Sequence, residues 1–208
     1  MCRFGGASLC RLPIDESMIR RRATMPIRKA VSTDARGLAV VHVDSWRSTY
    51  RGIVSDDFLE SMSYDDRGAR WRITLDALGA ESAKRVVFVA EDYDGRVVGF
   101  AMGGPHRDPD PEYTGELYAI YLLAEHQGKG LGRALVKSVA HSLAAQGFQS
   151  MLVWVLAQNP SRYFYERLGG VHIRSKQAEI GSQSLPELAY GWREESFSRI
   201  LSTEQSTP

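Results

Sequence analysis

Cysteine is nearly absent from this chain: there are two in 208 residues, Cys2 and Cys10, both ahead of any helix or strand pattern. That excludes a disulfide framework and a thiolate metal site. No apolar run approaches the roughly eighteen residues that a bilayer-spanning helix requires. An excess of charge of either sign is missing too, with 26 basic against 25 acidic residues and a net charge of +1. Nothing therefore favours a nucleic acid or another polyanion as partner. The histidines, His42, His106, His126, His141 and His172, show no metal-ligand spacing. There is no internal repeat and no low-complexity segment. The only early positive cluster, Arg20–Arg22, follows the weak apolar start instead of preceding it, which excludes a secretory leader. These absences leave a cytoplasmic, metal-free protein with one core, for which 43% hydrophobic residues suffice.

Residues 1–25 lack amphipathic periodicity and are expected to be a disordered extension, with Met25 as an alternative translation start. The folded domain is expected over 26–195 and a flexible tail over 196–208. Within the domain, Pro26–Ala30 reads as a strand. A helix follows, capped by Ser32 or Thr33, with Leu38, Val41 and Ser45 on one face. A helical region from Ser55 to Leu78 breaks near Ser61–Ser63. Residues 86–90 and 97–101 form a hairpin about Asp94–Gly95. A loop covers 103–115, and two β-like stretches, 171–180 and 187–194, flank a turn at Gly181–Ser182.

The densest information lies in the middle. Glu116–Leu122 is β-prone and long enough for a buried strand. Gly128, Gly130 and Gly132 then alternate with Lys129, Leu131 and Arg133, and Leu131, Leu135, Val139 and Leu143 place one apolar stripe along a helix that begins at once. Met151–Leu156 is another buried strand, so the whole reads as a parallel strand–helix–strand unit. A glycine turn at the positive end of a helix suits an anion, because the first N–H groups lack intrahelical partners and no side chain keeps a phosphate away. The turn is not a P-loop, since Lys129 is followed by Gly130 and Leu131 and not by Ser or Thr. Nor is it a dinucleotide fingerprint, since the third glycine of that pattern would fall on Arg133 or Leu135.

What fits is Gln-x-x-Gly-x-Gly, as Gln127, Gly130 and Gly132, followed after the next strand by Asn159 and by Phe164-Tyr165-Glu166-x-x-Gly169. Together these resemble the two signatures of the GNAT superfamily of N-acetyltransferases, over roughly residues 26 to 194. The resemblance implies an α/β (α+β) fold with a mixed central sheet of six to seven strands and flanking helices, in the order β-α-α-β-β-β-α-β-α-β-β. It also implies acetyl-CoA as co-substrate, bound by Leu122, Gln127, Gly128, Lys129, Gly130, Leu131, Gly132, Arg133 and Asn159, and no metal. Homodimers are common in the family. One departure is Ala124, where many members carry proline.

Acetyl transfer to an amine needs a proton acceptor, a donor to the developing oxyanion and a donor to the departing sulfur. By the resemblance, Glu116 is the base, directly or through water, unless a water chain alone serves. Tyr165 protonates the thiolate, with Tyr163 a weaker substitute, and a backbone N–H near Leu122 polarises the carbonyl. Asn159 bonds CoA, holds the strand end, or both. The acceptor side offers Trp46, Tyr50, Asp108, Asp110, Glu112, Tyr113 and Trp192, with His106 in the loop. Aromatics beside carboxylates suit the cationic amine of a small molecule or a peptide. A non-catalytic CoA-binding sensor is the alternative, and an ATP-binding protein a remoter one.

Overall fold

The computed structural model describes residues 25–78, 84–108 and 110–202. The expected extension, apart from Met25, and the last six residues lie outside them. Seven strands form one sheet in the order β1-β2-β3-β4-β5-β7-β6. They are β1 (Ile27–Lys29), β2 (Val86–Glu91), β3 (Val97–Pro105), β4 (Gly115–Leu122), β5 (Met151–Leu156), β6 (Val171–Ile180) and β7 (Gln183–Trp192). All neighbours are antiparallel except β4 and β5. The helices are α1 (Ala35–Thr49), α2 (Asp56–Ser61), α3 (Tyr64–Leu78), α4 (Leu131–Ala145), α5 (Arg162–Arg167) and α6 (Glu194–Ser202).

Each face of the sheet has its own core. On one, α4 buries the stripe Leu131, Leu135, Val139 and Leu143 against Leu117, Met151 and Val153. Each such leucine contributes about 1.5–3 kcal/mol by leaving water. On the other, α1 and α3 set Leu38, Trp71 and Leu75 against Val89 and Phe100. Strands β3 and β4 slip register between Met102 and Gly103, so Tyr118 has no partner on β3. This bulge lets Leu117 and Ile120 both face α4 while Ala119 and Tyr121 face α1.

Three local expectations change. Neither Ser32 nor Thr33 caps α1. A short 3-10 turn, Ser32–Asp34, precedes it, and the buried Asp34 carboxylate accepts the Val31 N–H at 2.8 Å and both Arg28 terminal nitrogens at 2.7 and 2.8 Å. Ser32 instead donates to Asp76 at 2.7 Å. Strand β7 begins at Gln183, not near 187, because Pro186 lies past the end of β5 and still pairs with Gln177 of β6. There its carbonyl takes the Ala157 N–H at 2.8 Å. Finally, residues 196–202 are not a flexible tail. They belong to α6, where Phe197 and Ile200 are 2% and 6% exposed against the α4 core. The apolar positions Phe197, Ile200 and Leu201 share one face at helical spacing, enough to dock a short helix whose remaining residues are polar.

Candidate active site

The site is a gap in the sheet. Strands β4 and β5 share three parallel rungs, Gly115–Leu117 against Met151–Val153, and then separate. Beyond them β4 pairs with β3 alone and β5 with β7 alone. The parting holds a cleft of about 520 Å³ between Ala119–Leu122 on one wall and Val153–Val155 on the other.

The N-terminus of α4 faces this cleft. Gly128 and Gly130 have φ of +72° and +83° and open space where a Cβ would project, so the backbone is left-handed and bare where a ligand approaches. At Gly132 a Cβ would lie 3.3 Å from the Phe164 ring. The first intrahelical bond is Ala134 N–H to Gly130 O at 3.1 Å, leaving the N–H groups of Leu131, Gly132 and Arg133 at the helix head. Gln127 Nε2 donates to the Leu122 carbonyl at 3.1 Å and Ser45 Oγ to the same oxygen at 3.2 Å, which ties the loop and α1 to β4. In place of the missing proline, Ala124 opens a 3-10 turn closed by His126 N–H to Leu123 O at 2.9 Å. Leu122, Gln127, Gly128, Gly130, Gly132 and Arg133 line the cleft, as does Arg167, which sequence reasoning passed over. Lys129 is exposed outside the lining and Leu131 is buried as the helix anchor.

Tyr165 and Asn159 complete the wall. Burial pushes the Tyr165 phenol well above its ordinary value, so it keeps its proton. Its ring meets Phe164 at 5.4 Å and Trp192 at 6.3 Å between centroids. The Asn159 side chain is 4% exposed. Its amide is committed to the protein: Oδ1 accepts the Ser161 N–H at 2.8 Å and Nδ2 donates to Tyr50 Oη at 3.3 Å.

Glu116 is not in the cleft lining. It lies one residue before the last rung, 1% exposed, and Arg107 grips it, with Nε at 3.0 Å from Oε1, the backbone N–H at 3.1 Å from Oε2 and a further Nη2 contact. Sequence reasoning also missed Glu187 on β7, paired across the strands with Leu156 and Lys176. Burial raises its carboxyl above the usual range, Lys176 and Arg107 oppose that shift, and Glu116 adds to it. The carboxylate in turn contributes to raising the Tyr50 phenol on the cleft wall. Its signal was its standing as the one charged residue of β7.

The other acceptor-side candidates scatter. Trp192 and Tyr113 are core residues at 0% and 3% exposure. Asp110 binds Arg174, and Glu112 binds Arg193 at 2.6 Å, beside a separate groove. Trp46 packs between Tyr50 and Phe58. Asp108 is exposed. Of the set, Tyr50 alone lines the cleft.

Residues 110–178 match the FR47-like protein family. An uncharacterized N-acetyltransferase of Bacillus subtilis, YuaI, is 41% identical over 175 residues, covering 84% of this chain and 96% of that protein. The mycothiol acetyltransferase of Gordonia bronchialis is 32% identical over 163 residues, 73% of this chain, which spans 52% of that relative's length. A phosphinothricin acetyltransferase of Sinorhizobium meliloti, solved in complex with acetyl-CoA, shares the fold with a TM-score of 0.60 at 24% identity, over 82% of this chain and 89% of that one. Kinship with YuaI runs almost end to end, and the sheet parts where the glycine turn meets it: the chain belongs to the GNAT superfamily of N-acetyltransferases.

Proposed function

We propose that acetyl-CoA binds in the β4–β5 cleft and that its acetyl group passes to a primary amine of a small molecule or peptide by direct attack. The observation that carries this reading is the parted ladder with the bare, glycine-headed end of α4 at its mouth. The helix head offers three backbone N–H groups and a dipole to the pyrophosphate, and Arg133 and Arg167 add charge. When bound, acetyl-CoA supplies the thioester whose carbonyl the amine attacks. The similarity to small-molecule acetyltransferases such as the mycothiol enzyme supports a small acceptor.

In the reaction one proton must leave the amine nitrogen as the C–N bond forms, and the sulfur departs as the C–S bond breaks. Tyr165, held protonated, donates a hydrogen bond to that sulfur. Glu116, held by Arg107 beside the last rung and outside the cleft lining, accepts the amine proton through water. A specific observation favours a second reading for the base. Among the described residues Glu187 is ion-paired with Lys176 alone, Nζ at 3.9 Å, and burial raises its carboxyl above the ordinary range, which strengthens it as a proton acceptor.

Calorimetric titration with acetyl-CoA tests the proposal, with Gly130→Glu, Gly132→Glu and ATP as controls. Micromolar binding that both substitutions remove and ATP does not reproduce supports it. No heat from acetyl-CoA sinks it.

A further inference from the structure

Beside the first residues of β4, on the sheet face away from α4, a second cavity of about 690 Å³ opens between α3, the approach to β2 and the chain leaving β3. Its charge is one-sided. Among the described residues, Lys84, Arg85 and Arg107 line it together with His106, and no carboxylate does. Glu116 beneath it is already bound by Arg107; Arg85 faces the Tyr118 hydroxyl, and neither Lys84 nor Arg85 is ion-paired with a carboxylate among the described residues.

His106 is an independent sign. Its side chain is 6% exposed, and Nε2 stands 4.0 Å from Glu116 Oε2, beyond hydrogen-bond reach. Neither ring nitrogen has a hydrogen-bond partner among the described residues. An imidazole carries at least one N–H donor in either tautomer, and protein interiors rarely leave a buried donor unmet. Two cations without a carboxylate partner among the described residues, beside a buried donor that those residues leave unmet, suit an oxygen-rich anion.

Tyr118 connects this cavity to the cleft. The bulge turns it out of the β3 ladder, and the residue lines both spaces. Its hydroxyl donates to the Pro105 carbonyl, and the Arg107 guanidinium lies 5.2 Å from its ring centroid.

We propose that this pocket holds an acidic group of the acceptor, a carboxylate or a phosphonate-like oxyanion, while the amine of the same molecule reaches the cleft past Tyr118. The acceptor class is then a small amino acid-like molecule and not a polyamine. This rests on the acetyl-transfer reading of the cleft, so the test separates the two.

First, protein labelled with ¹⁵N at histidine is titrated with acetate and with inorganic phosphate. The expected result is a saturable shift of the His106 ring signals, lost in Arg85→Gln. That substitution is on an exposed side chain and leaves the core intact; Lys84→Gln provides a second exposed variant. A response to acetate alone assigns a carboxylate, and a response to phosphate alone assigns the other oxyanion. Second, acetylation of β-alanine and 4-aminobutyrate is compared with that of their methyl esters and of 2-aminoethylphosphonate. KM for the preferred acid should lie at least about tenfold below that of its uncharged counterpart, equivalent to about 1.4 kcal/mol, and the ratio should fall toward one in Arg85→Gln. Absence of a saturable shift with either anion, or equal KM for acids and esters, overturns the anion pocket while leaving acetyl transfer standing. A positive titration with no acetylation of these acids, in protein that binds acetyl-CoA, overturns the acceptor role and leaves only an anion site.

Discussion

Asn159 donates from Nδ2 to the Tyr50 hydroxyl at 3.3 Å, joining the turn after β5 to the end of α1 across 109 residues of chain. The same amide accepts the Ser161 N–H. Asn159 thus braces the cleft from both sides. Asn159→Ala leaves the Tyr50 hydroxyl and the Ser161 N–H unmet and should lower the unfolding free energy by about 1–3 kcal/mol in urea titration. An unchanged midpoint would show that water replaces the amide.

Tyr165→Phe keeps the ring contacts and removes only the hydroxyl. Turnover should fall roughly 10²-fold while acetyl-CoA affinity by calorimetry stays close to that of the native protein. A loss of affinity in place of turnover would make Tyr165 a binding residue.

The two carboxylates separate in a pH–rate profile. With Glu116 as base, Glu116→Gln lowers kcat/KM about 10²-fold and removes the acid limb, while Glu187→Gln keeps that limb. The rate falls as pH drops, because a base is lost on protonation. If Glu187 is the base, its raised carboxyl places the limb above the ordinary carboxylate range, and Glu187→Gln is the substitution that removes it.

His42 sits among Trp46, Trp71, Phe100 and Tyr121. Burial, helped by nearby Arg67, lowers its imidazole to about 3. Unfolding returns it to about 6.5, so between those values the unfolded chain binds the extra proton. The resulting stability is complete above pH about 6.5 and declines as pH falls toward 3. His42→Phe should flatten this slope. Denaturant titrations near pH 7 and about pH 4.5 should show a larger loss for the native protein than for the variant.

Phe197 buries the terminal helix. Phe197→Ala should cost about 3–5 kcal/mol, measurable as a lowered urea midpoint, whereas a free tail would tolerate it without change.

Much of this molecule was readable before its structure because periodicity reports burial directly. Leu131, Leu135, Val139 and Leu143 could not lie anywhere but against a sheet, and the glycines at 128 and 130 announced a bare helix head. The elements misread were those whose fate depends on distant partners. Phe197 and Ile200 needed the flank of α4 to become a core, and Pro186 needed the end of β5 to become part of a strand. The acceptor side was least legible. Asp110 and Glu112 look available until Arg174 and Arg193, far along the chain, are seen to neutralise them, and nothing local ties His106 to Lys84 and Arg85.

The three rungs between β4 and β5 carry a mechanical consequence. The backbone ladder divides the sheet into a four-stranded panel, β1–β4, and a three-stranded panel, β5–β7, held along a short seam and by α4 behind it. Each panel has an inner edge of unpaired backbone, so the two can loosen separately, as cooperative units do when few contacts cross between them. Bound as proposed in this parting, acetyl-CoA, which carries amides of its own, should span both edges and fuse the panels. Amide exchange along Tyr118–Tyr121 should then slow, and melting should become sharper and later as acetyl-CoA is added.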